Sequence, residues 1–134
     1  MKTSIALLAL ALTLPTLGHA ASFSCEGREG VRGTIELNVL KNGKASVKGS
    51  YNWDSQSGED TKTHNLNCTG KENNAGRSGN KTHDYFDLSK GCDSDYLRTD
   101  QGLADKDSGW VSLVIAGPAD HDSSGYSYAN FFCK

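Results

Sequence analysis

The sequence predicts an all-β fold, a small antiparallel β-sandwich or barrel of about six to eight short strands stapled by two disulfides. Three observations predict it. Apolar residues alternate with polar ones over several short runs, and polar, glycine-rich segments separate the runs. Outside the first 20 residues no stretch of about three helical turns keeps a helical apolar period. Four cysteines all follow a leader-like segment, and an even cysteine count in an exported chain reads as a disulfide framework.

The elements follow in order. Residues 22–26 open the domain with Phe23 and Cys25 on one face. From Gly33 to Tyr51, Ile35, Leu37 and Val39 alternate with polar residues, Lys41-Asn42-Gly43 interrupts, and Ala45, Val47, Gly49 and Tyr51 resume the alternation. This is a β-hairpin with Asn-Gly in its turn, a pair suited to positive φ. Residues 63–70 place Leu66 and Cys68 together, and residues 84–88 place Phe86 and Leu88 together. In residues 110–116, Val111, Leu113 and Ile115 on one side face away from Trp110 and Val114 on the other, which predicts a central strand covered on both faces. Residues 126–133 close the chain. Residues 54–60 and 71–81 are polar loops, and the acid-rich stretch from Cys92 to Gly109 reads as a solvated loop.

Lys2, the apolar run from Ile5 to Leu14 and Gly18-His19-Ala20 read as a cleavable signal peptide over residues 1–20, leaving a single secreted or periplasmic domain over 21–134. The apolar run is too short to span a bilayer, so no membrane association is expected. The chain carries a formal charge of −2, with 14 basic and 16 acidic residues. Losing Lys2 makes the balance more acidic, which argues against nucleic acid as a partner. No C-x-x-C pair is present to build a zinc knuckle. Four cysteines allow three pairings. Strand parity favours Cys25 with Cys133, since Phe23 and Cys25 share one face of the first strand while Phe131 and Cys133 share one face of the last; Cys68 and Cys92 then form the second bridge.

The candidate binding residues are aromatic. Tyr126, Tyr128 and Phe132 fall on the strand face opposite Ala129, Phe131 and Cys133. If the Cys133 face points inward, the other face carries an aromatic stripe that Trp53 or Trp110 can extend, large contact area of the kind that grips a protein or glycan. The alternative is a small hydrolase of ribonuclease type, with His83 and His121 as acid and base and Arg77 steadying phosphate charge. Otherwise His64, His83 and His121 are surface residues at strand ends and in a loop. Asp107-Ser108-Gly109 is similar to the nucleophile segment of chymotrypsin-like proteases, but G-x-S-x-G is absent and the chain is too short for two barrels. Asp105 and Asp107 begin a calcium-loop pattern whose glycine falls one position early and which lacks a downstream bidentate glutamate. No metal or other cofactor is expected. Asn67-Cys68-Thr69 and Asn80-Lys81-Thr82 match the N-glycosylation pattern.

Phe23-Ser24-Cys25 resembles the aromatic-x-Cys element near the mature start of the membrane-bound and periplasmic C-type lysozyme inhibitors. Ser124-Gly125-Tyr126-Ser127-Tyr128 is similar to their cleft-plugging Ser-Gly-x-x-Tyr loop, although that loop lies mid-chain in the family and here opens the final strand. The resemblance covers these two short segments and implies a disulfide-bearing barrel. The expected function is a non-catalytic binding domain recognising a protein or glycan, in its sharpest version an enzyme inhibitor presenting the disulfide-tethered segment between Cys68 and Cys92.

Overall fold

The computed structural model describes residues 20–40, 42–54, 62–74, 82–116 and 126–134. The strands are β1 (Ala20–Arg28), β2 (Val31–Leu40), β3 (Lys44–Trp53), β4 (His64–Glu72), β5 (His83–Leu88), β6 (Tyr96–Asp100), β7 (Gly109–Ala116) and β8 (Tyr126–Cys133). Each pairs antiparallel with the next and β8 returns to β1, so the sheet closes into an eight-stranded barrel. Closure removes both sheet edges. It decides between the two expected architectures in favour of the barrel. The signal-like residues 1–19 lie outside the described residues.

Alternation dictates what fills the interior. Ile35, Leu37 and Val39 of β2 point inward with Ala45, Val47 and Tyr51 of β3, and all are buried. Phe23, Leu66, Phe86, Leu97, Val111, Leu113 and Phe131 complete the same core. One end is closed by aromatic packing: Tyr51 meets Phe131 at 5.5 Å and Trp53 at 6.3 Å edge to face, and stacks on His64 at 4.8 Å. At the other end Leu103, on a short 3-10 turn (Leu103–Asp105), inserts beside Val39, Phe86 and Thr99. Tight bending of the β2–β3 ribbon requires glycine at position 49, where φ is 134° and a Cβ would lie 2.6 Å from the Thr34 carbonyl oxygen. The hairpin turn holds Asn42 and Gly43, as expected. The positive φ of 84° falls on Gly43, while Asn42 turns its side-chain oxygen to accept from the Lys44 amide at 3.1 Å.

Both disulfides take the pairing that strand parity favours, Cys25–Cys133 and Cys68–Cys92. Cys25 and Cys133 are register partners across the β1–β8 seam with Cα atoms 3.9 Å apart. The neighbouring pair, Ser24 and Lys134, exchanges two backbone hydrogen bonds of 3.0 Å, so the bridge occupies the non-hydrogen-bonded site, where side chains approach most closely. The second bridge repairs a short pairing. β4 and β5 share only three register pairs, from Gly70↔Leu88 to Glu72↔Phe86. Beyond them the segment 89–92 runs along β4: Ser89 N–H donates to the Thr69 carbonyl at 2.8 Å, and Asn67 N–H donates to the Gly91 carbonyl at 3.2 Å. Gly91 has φ 114°, and a Cβ there would sit 2.9 Å from the Asn67 carbonyl oxygen. Cys92 then fastens this segment to Cys68.

Two expectations are corrected. The stretch from Cys92 to Gly109 is not one solvated loop: it contains β6 and the 3-10 turn, because Leu97 and Thr99 alternate inward between Tyr96, Arg98 and Asp100. The strand β7 is covered on its inner face and at Ser112 and Val114 on its outer face, yet Trp110 is 44% exposed.

Replacing Cys25 and Cys133 by alanine should cost about 4 to 5 kcal/mol in the loop-entropy picture, and replacing Cys68 and Cys92 about 3 to 3.5 kcal/mol, since the shorter loop restrains the unfolded chain less. Denaturant unfolding of the two double variants checks this order; equal stability of both variants and the oxidised parent contradicts it.

Candidate functional site

With the odd residues of β8 inside, its even residues line up outside with those of the neighbouring strands. The register builds three rows across the barrel wall. Trp110 of β7 pairs with Phe132 of β8, which pairs with Glu26 of β1. The middle row is Tyr85, Arg98, Ser112 and Asn130. The third is Asp87, Tyr96, Val114 and Tyr128. Five aromatic residues therefore share the outer face of β5 to β8.

The rings are organised in pairs. Trp110 and Phe132 meet edge to face with centroids 5.4 Å apart, and Tyr85 packs against Tyr96 at 5.9 Å. The Arg98 guanidinium lies over the Tyr128 ring, 5.0 Å from its centroid, a cation–π contact. Val114 is fully buried although it points outward, because its short side chain lies between the larger Tyr96 and Tyr128. Between the aromatic rows runs a hydrogen-bonded chain. Arg98 Nη2 donates to Ser112 Oγ at 3.4 Å, Ser112 Oγ donates to Asn130 Oδ1 at 2.6 Å, and Asn130 Nδ2 donates to Glu29 Oε2. Glu29 is placed to accept by the β1–β2 turn, where Glu29 and Gly30 both take positive φ (56° and 88°).

Of the expected stripe, Trp110, Tyr128 and Phe132 stand on this face. Tyr126 belongs to β8, but its side chain lies outside the described residues. Trp53 does not extend the stripe. It points into the barrel opposite Val31 and is 7% exposed, since odd positions of β3 face inward with Tyr51. Tyr85, Tyr96 and Arg98 are additions that sequence reading missed. The signal for them was the alternation Tyr96-Leu97-Arg98-Thr99-Asp100, hidden by its shortness and flanking charge.

Of the hydrolase candidates only His83 belongs to the described residues. His121 and Arg77 lie outside the described residues. His83 begins β5 on the outer wall, with Thr82 Oγ1 at 2.8 Å from its Nδ1. His64 is not the surface residue expected: it is 5% exposed, because β4 turns it inward to stack on Tyr51. Its Nδ1 lies 3.0 Å from Asp93 Oδ2, and Lys62 Nζ is 3.6 Å from the same oxygen. This resembles an acid–base dyad, and a recess of about 710 Å³ lined by Asn65, Ser89, Lys90, Asp93 and Asp95 lies beside it. However, His64 Nε2 is buried, so the nitrogen that would exchange a proton with a substrate does not face the recess. The pair instead ties the 92–95 segment to the barrel end, with Asp93 held at φ 47°. Ser108 and Asp107 are exposed. Among the described residues no group of three or more His, Cys, Asp or Glu side chains is placed to hold a metal, Asp105 and Asp107 included. Asn67 and Thr69 of one sequon are exposed on β4; Asn80 of the other lies outside the described residues.

No protein-family model, curated protein or solved structure matches the chain.

Burial lowers the His83 pKa from its ordinary 6.5, and the Arg98 charge lowers it further against the opposing effects of Asp100 and Asp84. The unfolded chain then binds this proton more readily than the folded one. Stability contributed by neutral His83 is complete above 6.5 and is lost as the pH falls from 6.5 through the lowered value. An NMR titration should place the His83 ring below 6.5 and Arg98→Gln should move it upward; an unmoved midpoint contradicts the Arg98 contribution.

Proposed function

We propose that this chain is an exported, non-catalytic binding domain that recognises a glycan or protein through the outer aromatic face of β5 to β8. The observation that carries the reading is the exposed Trp110 braced edge to face by Phe132, beside a wall of tyrosines around Arg98. A braced indole offers a large apolar surface that loses little conformational freedom on binding. The two disulfides are consistent with an oxidising extracellular or periplasmic environment, and the leader-like residues 1–20 support export.

The arrangement favours a glycan over a protein. A stable protein interface has a dry apolar centre within about 800 Å² on each side. Here a polar hydrogen-bonded row runs between the rings, and Trp110 alone among the described large apolar side chains is strongly exposed. Sugars present both an apolar face and hydroxyls, which suits alternating rings and polar groups. The inhibitor version draws no support from the Cys92 side of the tethered segment, because residues 89–92 lie flat along β4. Residues 75–81 lie outside the described residues.

Binding of the oxidised chain to a printed glycan array tests the reading. Trp110→Ala should lower the signal on any bound glycan at least about tenfold, a hot-spot loss, while the melting temperature stays within a few degrees because the side chain is exposed. Binding insensitive to Trp110→Ala, or turnover of RNA by the purified chain, overturns it.

A further inference from the structure

Arg98 sits at the centre of the aromatic face, and among the described residues it has no counter-ion. It is half-buried. Its described partners are the Ser112 hydroxyl at 3.4 Å and the face of Tyr128, and among the described residues no carboxylate lies within 4.0 Å of it. The nearby acids are engaged elsewhere. Asp100 Oδ2 accepts from the Trp110 amide at 2.8 Å, Asp87 Oδ2 accepts from Asn73 at 2.7 Å, and Glu29 accepts from Asn130. Glu26 pairs with Arg28 at 3.2 Å.

A partly desolvated guanidinium with no anion is costly to keep, and its planar fork matches a carboxylate through two parallel hydrogen bonds. Arg98→Ser112→Asn130→Glu29 is a relay with one end anchored and the other ending in this cation. Rows two residues apart along a strand are roughly 6.6 Å apart. An elongated ligand can therefore lay apolar faces on Trp110 and Phe132 on one side and on Tyr96 and Tyr128 on the other, while an acidic group reaches Arg98 between them.

From this we propose that the ligand is an acidic saccharide whose carboxylate is bound by Arg98 and whose sugar rings rest on the flanking aromatic rows. The inference rests on the glycan-binding reading given above. An acidic peptide would satisfy Arg98 equally well. It would not present the flat apolar ring faces that stack on the flanking aromatic side chains.

Calorimetric titration of the oxidised chain with uronate hexamers (galacturonate, mannuronate and guluronate), their methyl esters and hexaglutamate decides the matter. At least one uronate hexamer should bind. Its methyl ester, which keeps the rings and removes the charge, should bind about tenfold or more weakly, the loss expected for a charge-assisted hydrogen bond. Arg98→Gln should weaken the acid to the level of the ester and leave the ester unchanged, whereas Trp110→Ala should weaken both. The contrast between acid and ester on the unmodified chain keeps the test decisive even if Arg98→Gln impairs folding. Equal binding of acid and ester, binding of hexaglutamate alone, or no binding of any uronate overturns the proposal. Equal binding that Trp110→Ala still abolishes leaves the glycan-binding reading standing, whereas uronate binding indifferent to Trp110→Ala removes that reading.

Discussion

The pairing of β1 with β8 is the constraint on which the rest of the structure depends. Four register pairs from Cys25↔Cys133 to Arg28↔Asn130 turn a meander of strands into a closed wall. Closure converts period-two alternation into an inside and an outside, and a one-residue slip at the seam would exchange them. The Cys25–Cys133 bridge holds that register at the point where two strands distant in sequence meet. Sequence separation is 108 residues there, so the bridge acts where closing the chain costs the most entropy.

Once the wall is closed, its outer surface divides into two chemically different sides. Across β1 to β4 runs a ladder of small polar residues, Ser22, Asn38, Ser46 and Thr69, continued by Ser89 beyond β5. Ser22 Oγ donates to Asn38 Oδ1 at 2.6 Å and Asn38 Nδ2 donates to Ser46 Oγ at 3.3 Å. Asn38, Ser46, Thr69 and Ser89 border a recess of about 520 Å³ that Leu40, Ala45 and Leu88 also line. Across β5 to β8 the corresponding positions carry tyrosine, tryptophan, phenylalanine and arginine. The difference lies entirely in the outward residues, since both sides share one interior cluster. On the aromatic side Tyr85 and Val114 are themselves buried, whereas Trp110 stays exposed.

Much of this was legible in the sequence, where a strand was long enough for its alternation to stand out. Ile35-x-Leu37-x-Val39 and Ala45-x-Val47 announce their inward faces, and the shared parity of Cys25 and Cys133 selects the bridge. β6 was not legible, because five residues between acid-rich segments give alternation little room, and with it Arg98 escaped notice. Trp53 and Trp110 look alike as isolated tryptophans; only strand parity relative to Tyr51 and Cys133 sends one inside and the other out. The burial of His64 depends on Tyr51, a cross-strand partner that no local pattern around residue 64 specifies. The tyrosine and Arg98 arrangement required strands five through eight to be adjacent, information that resides in topology rather than in any one segment.

Backbone hydrogen exchange at the seam tests the closed barrel most directly. In the oxidised chain the amides of Ser24 and Lys134, each donating across β1 and β8, should be protected to an extent comparable with amides of the β2–β3 ladder. Exchange of these two amides at the rate of an open strand edge, with β2 and β3 protected, would show that the wall does not close and that the aromatic face is not assembled as described.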